Sequence, residues 1–218
     1  MNPLAQKLNS WLRLIPVWPL YIIGFVPAAW LWWLALNNRL GPEPVKALEH
    51  ELGLIALQFF LASLMVTPLL QITRINFIRF RRMIGLMAFY YVLLHFAVYL
   101  FLDLQLNWSE IGKDLTKRPY IIVGTLALVL LIPVAVTSND LAIRRLGSAA
   151  WSKVHNLVYP AAILAAVHYL WLVRSWPLEP ILYVVAAVLL VVWRPVRRRI
   201  KNRQRLRSAA QTHEGAAG

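Results

Sequence analysis

Trp151-Ser-Lys-Val-His155-Asn-Leu-Val-Tyr-Pro160-Ala-Ala-Ile-Leu-Ala-Ala-Val-His168-Tyr-Leu-Trp171 is an apolar run with two histidines thirteen residues apart, Lys153 near its start and Arg174 beyond its end. A run of this length and composition reads as a membrane-crossing helix. A histidine inside such a helix is costly and marks a functional site by default. Neutral imidazole is also a common axial ligand of haem iron. Thirteen residues cover roughly 20 Å of helix, so the two rings sit at different depths of one membrane, the layout of two stacked redox centres. A straight helix would also turn the second ring by about 220°, off the face of the first. Pro160 lies between them, where a kink can change that angle.

The rest of the chain agrees with a membrane setting. Of its 218 residues 60% are hydrophobic and 15% charged, and the mean hydropathy is +0.58. A soluble domain of this length needs far less apolar surface, so the chain reads as an integral membrane protein. The net charge of +14 lies in short clusters between apolar runs. That is the pattern of membrane topology rather than of a nucleic-acid-binding face. Ten Trp and eight Tyr, many near the ends of the runs, suit interfacial belts. The absence of cysteine excludes disulfides, cysteine-ligated iron–sulfur clusters and covalent c-type haem, so any haem is held non-covalently. Lys7 and Arg13 precede an apolar run that continues to Leu36, too long for a signal peptide and read as a retained helix.

Six spans can be drawn: Val17–Leu36, Leu54–Ile72, Met83–Leu102, Tyr120–Thr137, the Trp151–Trp171 run, and Ile181–Trp193, the last short unless Trp176–Leu178 extends it. The expected fold is therefore all-α, a polytopic membrane protein built as a six-transmembrane-helix bundle. Residues 1–16 form an N-terminal segment, 17–193 the membrane domain and 194–218 a basic tail whose end is expected to be unstructured. Asn37–Gly53 and Asp103–Arg118 are read as loops, the first holding the turn Gly41-Pro42-Glu43-Pro44. Lys7, Arg13, Arg74, Arg79, Arg81, Arg82, Arg144, Arg145, Lys153 and the eight basic residues from Arg194 to Arg207 fall on one side. Arg39, Lys46, Lys113, Lys117, Arg118 and Arg174 fall on the other, diluted by acids. The positive-inside rule then puts both termini in the cytoplasm, with the tail touching anionic lipid.

Spans three and five cross in the same direction. His95 lies thirteen residues past Arg82, and His168 thirteen past His155, so His95 and His168 share a level in the outer half. A facing pair on two helices can clamp one haem iron. His155, near the cytoplasmic face, has no histidine opposite. Arg81 stands fourteen residues before His95, almost on the same helical face. A guanidinium is a poor iron ligand but a good partner for haem propionates, and Arg82 adjoins it. Either a second haem has His155 and some other sixth ligand, or that site is vacant or differently used. His50 and His213 lie outside the spans and read as structural. Tyr91, His95 and Tyr99 make a stripe more typical of helix packing than of a cofactor wall. The few acids lie in loops, so paired-carboxylate or Ser-His-Asp chemistry has no support, and no Gly-rich phosphate loop is present.

Leu61-Ala-Ser-Leu-Met-Val-Thr67-Pro68-Leu, Arg81-Arg82-Met-Ile-Gly85-Leu, Leu94-His95, Thr116-Lys-Arg-Pro119-Tyr120 and Leu146-Gly-x3-Trp151-x3-His155-Asn156-x2-Tyr159…His168-Tyr-x-Trp171 resemble the MsrQ (formerly YedZ) family. These are haem-binding membrane subunits of the bacterial periplasmic methionine sulfoxide reductase system, in the ferric-reductase-like transmembrane superfamily with the NADPH oxidases and STEAP reductases. The resemblance runs from about Leu20 to Arg198 in order and spacing. It implies an inner-membrane haem b protein that draws electrons from the quinone pool and passes them to a periplasmic molybdopterin enzyme reducing methionine sulfoxide in proteins. The chain would then be the electron-transfer subunit, not the catalytic one. FMN is implied by the family alone, since no flavin motif is visible. Where the oxidases carry a third-span histidine, this chain has Arg81 or Arg82. Other readings of the same residues are a haem-containing ferric or other surface reductase, or a non-redox scaffold or transporter component.

Overall fold

The computed structural model describes residues 3–173 and 177–216, without the side chains of residue 198 and residues 201–216. Arg174 and Trp176 fall outside that description. Among the described residues there are only helices, no strands: α1 Pro3–Leu14, α2 Trp18–Leu36, α3 Pro44–Thr73, α4 Ile78–Ala97 continued by a π-helical segment Val98–Asp103, α5 Trp108–Lys117, α6 Pro119–Val136, α7 Asp140–His155, α8 Val158–Leu172 and α9 Leu178–Ala216.

Among the described residues five stretches are long and apolar enough to cross a membrane: Trp18–Leu36, Pro44–Thr73, Ile78–Asp103, Pro119–Val136 and Leu178–Arg197. The run holding His155 and His168 does not form one helix. α7 ends at His155, and α8 has 15 residues, roughly 22 Å against an apolar core of about 30 Å. The break falls at Asn156–Leu157, upstream of Pro160, where Leu157 N–H bonds the Val154 carbonyl at 3.0 Å and Tyr159 N–H the Asn156 carbonyl at 3.1 Å. Pro160 occupies the first turn of α8, where a missing N–H costs nothing. It therefore helps to start a helix rather than bend one from within. α7 itself bends at Gly147, whose φ of 72° and ψ of 158° suit glycine and few other residues.

Three further expectations are corrected. More than half of the expected 37–53 loop is helix, because α3 begins at Pro44. Proline is pre-organised for a first helical turn, and Lys46, Ala47, Leu48 and Glu49 favour helix after it. The expected 103–118 loop contains α5, whose start is capped by the Asn107 side chain accepting from the Ser109 and Glu110 amides at 3.2 and 3.3 Å. The tail is helical through Ala216. Its Arg, Lys, Gln and Ala residues are good helix formers, and no glycine interrupts it before Gly215.

α3 lies along α4, and α6 along α8, with α9 against α8 and α3. Leu48, Leu52, Met83, Met87 and Tyr91 fill the space between α2, α3 and α4. On α8 and α9 the fully buried residues among those described are mostly small, Ala161, Ala162, Ala166 and Ala187, with Pro180 beside them at the start of α9. Small residues let helices approach closely where lipid competes with apolar side chains. Large residues such as Trp18, Ile22 and Val26 on α2 or Leu182 and Leu189 on α9 point outward. α1 is fastened to the α3–α4 connector by Asn9, which donates to the Arg74 carbonyl and accepts from the Asn76 amide.

Candidate functional site

The two helix pairs, α3 with α4 and α6 with α8, leave between them a cavity of about 910 Å³. His95 from α4 and His168 from α8 both face it. Their ring centres are 6.3 Å apart and the ring planes lie at 74°. Each ring is held by the other helix of its pair. His95 Nδ1 is 2.8 Å from the Glu49 carbonyl oxygen on α3, and His168 Nδ1 is 2.7 Å from the Tyr120 carbonyl oxygen on α6. A carbonyl only accepts, so each Nδ1 carries the proton and each Nε2 keeps its lone pair. This is the orientation of metal-ligating histidines, which characteristically give their other N–H to a carbonyl or carboxylate.

The spacing suits a single metal centre. An imidazole–metal bond of about 2 Å on each side, with about 1.1 Å from nitrogen to ring centre, sums to ~6 Å. Among the described residues no three His, Asp or Glu side chains converge on a bare ion. Two neutral imidazoles facing a cavity of this size could instead complete the coordination of an iron already held in a macrocycle, as in haem. The residues fit such a group.

The Tyr91–His95–Tyr99 stripe divides. Tyr91 is fully buried against α2, away from the cavity. Tyr99 lies on the cavity wall and donates to Asp114 Oδ2 at 3.4 Å, which also accepts from Arg118 at 3.2 Å. α5 is thereby tied to the cavity rim. His50 also lines the cavity, its ring 5.8 Å from that of Tyr169.

His155 lies elsewhere, at the end of α7. Its ring stacks on Trp151 at 3.9 Å, and its Nε2 is 3.2 Å from Thr137 Oγ1. That hydroxyl donates to the Pro133 carbonyl at 2.6 Å, so the imidazole nitrogen is the donor toward it. Trp151 Nε1 donates to the Thr137 carbonyl at 2.9 Å, closing the cluster. Arg81 is within electrostatic reach of His155. Arg82 pairs instead with Asp140 at 2.8 Å, in the first turn of α7. The structure thus brings His95 and His168 together and sets Arg81 within electrostatic range of His155, while Arg82 is engaged by Asp140.

The groups that sequence reasoning missed are the carbonyls of Glu49 and Tyr120. A backbone acceptor has no signature in residue type. The available signal was a glycine four residues after each, Gly53 and Gly124, in otherwise bulky spans.

Comparison with known proteins points the same way. Residues 50–166 match the family described as ferric reductase like transmembrane component. The chain is 48% identical over 188 residues to the protein-methionine-sulfoxide reductase heme-binding subunit MsrQ of Brucella anthropi, covering 86% of this chain and 85% of that protein. It is 47% identical over 188 residues to the proteins of the same name from Brucella ovis and Brucella suis, with the same coverage of 86% and 85%. No solved structure matches the chain.

Proposed function

The chain belongs to the MsrQ family of ferric-reductase-like transmembrane proteins, and on that premise we propose that it carries electrons across the bacterial inner membrane through haem b. The donor is the quinone pool. The acceptor is a periplasmic molybdopterin enzyme that reduces methionine sulfoxide in proteins. The observation that supports this reading best is the His95–His168 pair, 6.3 Å apart and facing one cavity.

In this reading His95 and His168 would hold a haem iron through Nε2, and the Glu49 and Tyr120 carbonyls fix both rings in the tautomer that leaves Nε2 free. When bound, haem b supplies a one-electron iron centre. α8 serves as the sixth span, supported by its packing between α6 and α9. With both termini cytoplasmic, His155 and Arg81 stand at the inner end, where electrons enter from quinol. There Arg81 offers a charge-assisted partner to an anionic group, while its neighbour Arg82 is engaged by Asp140. His155 would serve a second haem or the donor site. FMN, implied by the family, has no residues here on which to place it.

Reduced-minus-oxidised difference spectra of the purified protein test the reading. A haem b α band is expected, and it should be lost in His168→Ala. A colourless preparation, or an unchanged band in that variant, would overturn the proposal in favour of a scaffold. Reconstitution with a sulfoxide-reducing partner and with ferric chelates then separates the proposed acceptor from a surface ferric reductase.

A further inference from the structure

We propose that Gly53 and Gly124 are positioning residues for His95 and His168: each lets an imidazole lie against a helix backbone and reach the carbonyl four residues earlier. The inference rests on the reading of these histidines as ligands. In an α-helix the carbonyl of residue i points along the axis toward the amide of residue i+4. A donor from a neighbouring helix can reach that oxygen only from the flank, and the side chain at i+4 stands in its way. The two accepting carbonyls belong to Glu49 and Tyr120. Four residues on from each stands a glycine, Gly53 and Gly124.

The distances show what a methyl group would meet. A Cβ on Gly124 would lie 2.7 Å from His168 Nδ1, 2.8 Å from Cε1 and 3.1 Å from Cγ. One on Gly53 would lie 3.0, 3.2 and 3.5 Å from Nδ1, Cε1 and Cγ of His95. These are atoms of a rigid ring already tied by its hydrogen bond, so at Gly124 the ring must shift, and at Gly53 it must give by a few tenths of an ångström. Other glycines of the spans behave differently. At Gly85 the nearest atom is Ser63 Cβ at 3.9 Å, ordinary contact. At Gly24 it is Met87 Cε at 2.8 Å, the loose end of a flexible side chain. The arrangement of carbonyl, glycine and imidazole occurs twice, once on each helix pair, and both times at a histidine that faces the cavity.

The consequence reaches beyond packing. A short Nδ1–H···O=C bond makes Nε2 more basic, and a more basic axial ligand favours the oxidised iron. Pushing the ring off its carbonyl weakens that bond, so the midpoint potential should rise wherever the haem is retained.

The experiment compares Gly124→Ala, Gly53→Ala, Gly85→Ala and Gly24→Ala in the full chain. Haem per polypeptide, the low-spin ferric EPR spectrum and the midpoint potential are measured on each. Gly124→Ala should lose haem several-fold, or keep it with an altered EPR spectrum and a raised potential. Gly53→Ala should move the same way by less, Gly85→Ala should match wild type, and Gly24→Ala should lower thermal stability without moving the potential. Wild-type values for all three measurements in Gly124→Ala overturn the proposal, and so does an equal shift in Gly85→Ala. If Gly124→Ala does not accumulate, Gly53→Ala decides by the same criterion. His95→Ala and His168→Ala are run alongside. An unchanged α band in those variants sinks the ligand reading itself. Haem loss there with silent glycine variants sinks only the positioning.

Discussion

The hydroxyl of Tyr91 on α4 is inserted into the backbone ladder of α2, donating to the Gly24 carbonyl at 2.7 Å and bridging it to the Ala28 amide, from which it accepts at 3.1 Å. Gly24 and Ala28 are the i and i+4 groups that would otherwise bond each other. Pro27 stands inside this turn, where its ring crowds the carbonyl four residues earlier and weakens the helical ladder. In an apolar setting both freed groups need a partner, and one hydroxyl serves both. Tyr91→Phe keeps the ring against Phe59, 5.5 Å away between centres, but strands the two backbone groups. It should cost about 1–3 kcal/mol, read as a lower unfolding midpoint in detergent. Because Tyr91 faces away from the cavity, haem per folded polypeptide should stay at the wild-type level; a parallel fall would mean the site reaches further than its walls.

Arg82 and Asn139 make a contrasting pair at the start of α7. The Arg82–Asp140 ion pair is exposed, with 48% and 77% of the two side chains accessible. Exposed pairs contribute about 0–1 kcal/mol and fade with salt. Asn139 instead caps the helix, its Oδ1 accepting from the Ala142 amide at 2.7 Å, and a lost cap costs about 1 kcal/mol. Asn139→Ala should therefore lower the unfolding midpoint more than Arg82→Gln. Only the Arg82→Gln effect should shrink as salt is added. The reverse order would show that Arg82 has a partner other than Asp140.

Much of this arrangement was legible because membrane spans announce themselves by composition. Trp18–Leu36 and Pro119–Val136 fall within a residue of the expected spans. Counting from basic residues placed His95 and His168 at one depth, and their rings do meet. The count treated residues 151–171 as one helix, and there it failed. Asn156 and Leu157 carry no strong breaking signal, while Pro160, which does, sits harmlessly in a first turn. Pro44 misled in the opposite sense, since a turn-like Gly41-Pro42-Glu43-Pro44 also supplies a helix start. Depth and composition are periodic properties that sequence records. The Glu49 and Tyr120 carbonyls are positions in space, set by how two helices pack.

Orientation is tested by reporters. A fusion after Arg207 should report the cytoplasm, and an insertion beside Lys113 in α5 the periplasm, because the basic residues concentrate on the first side. The opposite pattern would reverse the direction of electron flow proposed above.

His155 decides whether the end of the molecule away from the cavity is functional. Its ring does not line the cavity that His95 and His168 face, and it is built into a cluster with Trp151 and Thr137. If electrons from quinol enter there, His155→Ala should slow quinol-driven reduction strongly, while the haem at His95 and His168 remains bound and reducible by dithionite. Thr137→Val removes the hydroxyl that the imidazole N–H reaches but leaves the ring stacked on Trp151. It should lower the same rate by less. Arg81, within electrostatic range of the ring, should behave like His155 when changed to Gln, and Arg82, engaged by Asp140, should not. Haem content and quinol-driven reduction are measured on the same preparation, so that each rate is expressed per haem. A His155→Ala protein that is less stable yet reduced at the normal rate per haem would make this ring a brace for the α6–α7 corner and place electron entry elsewhere.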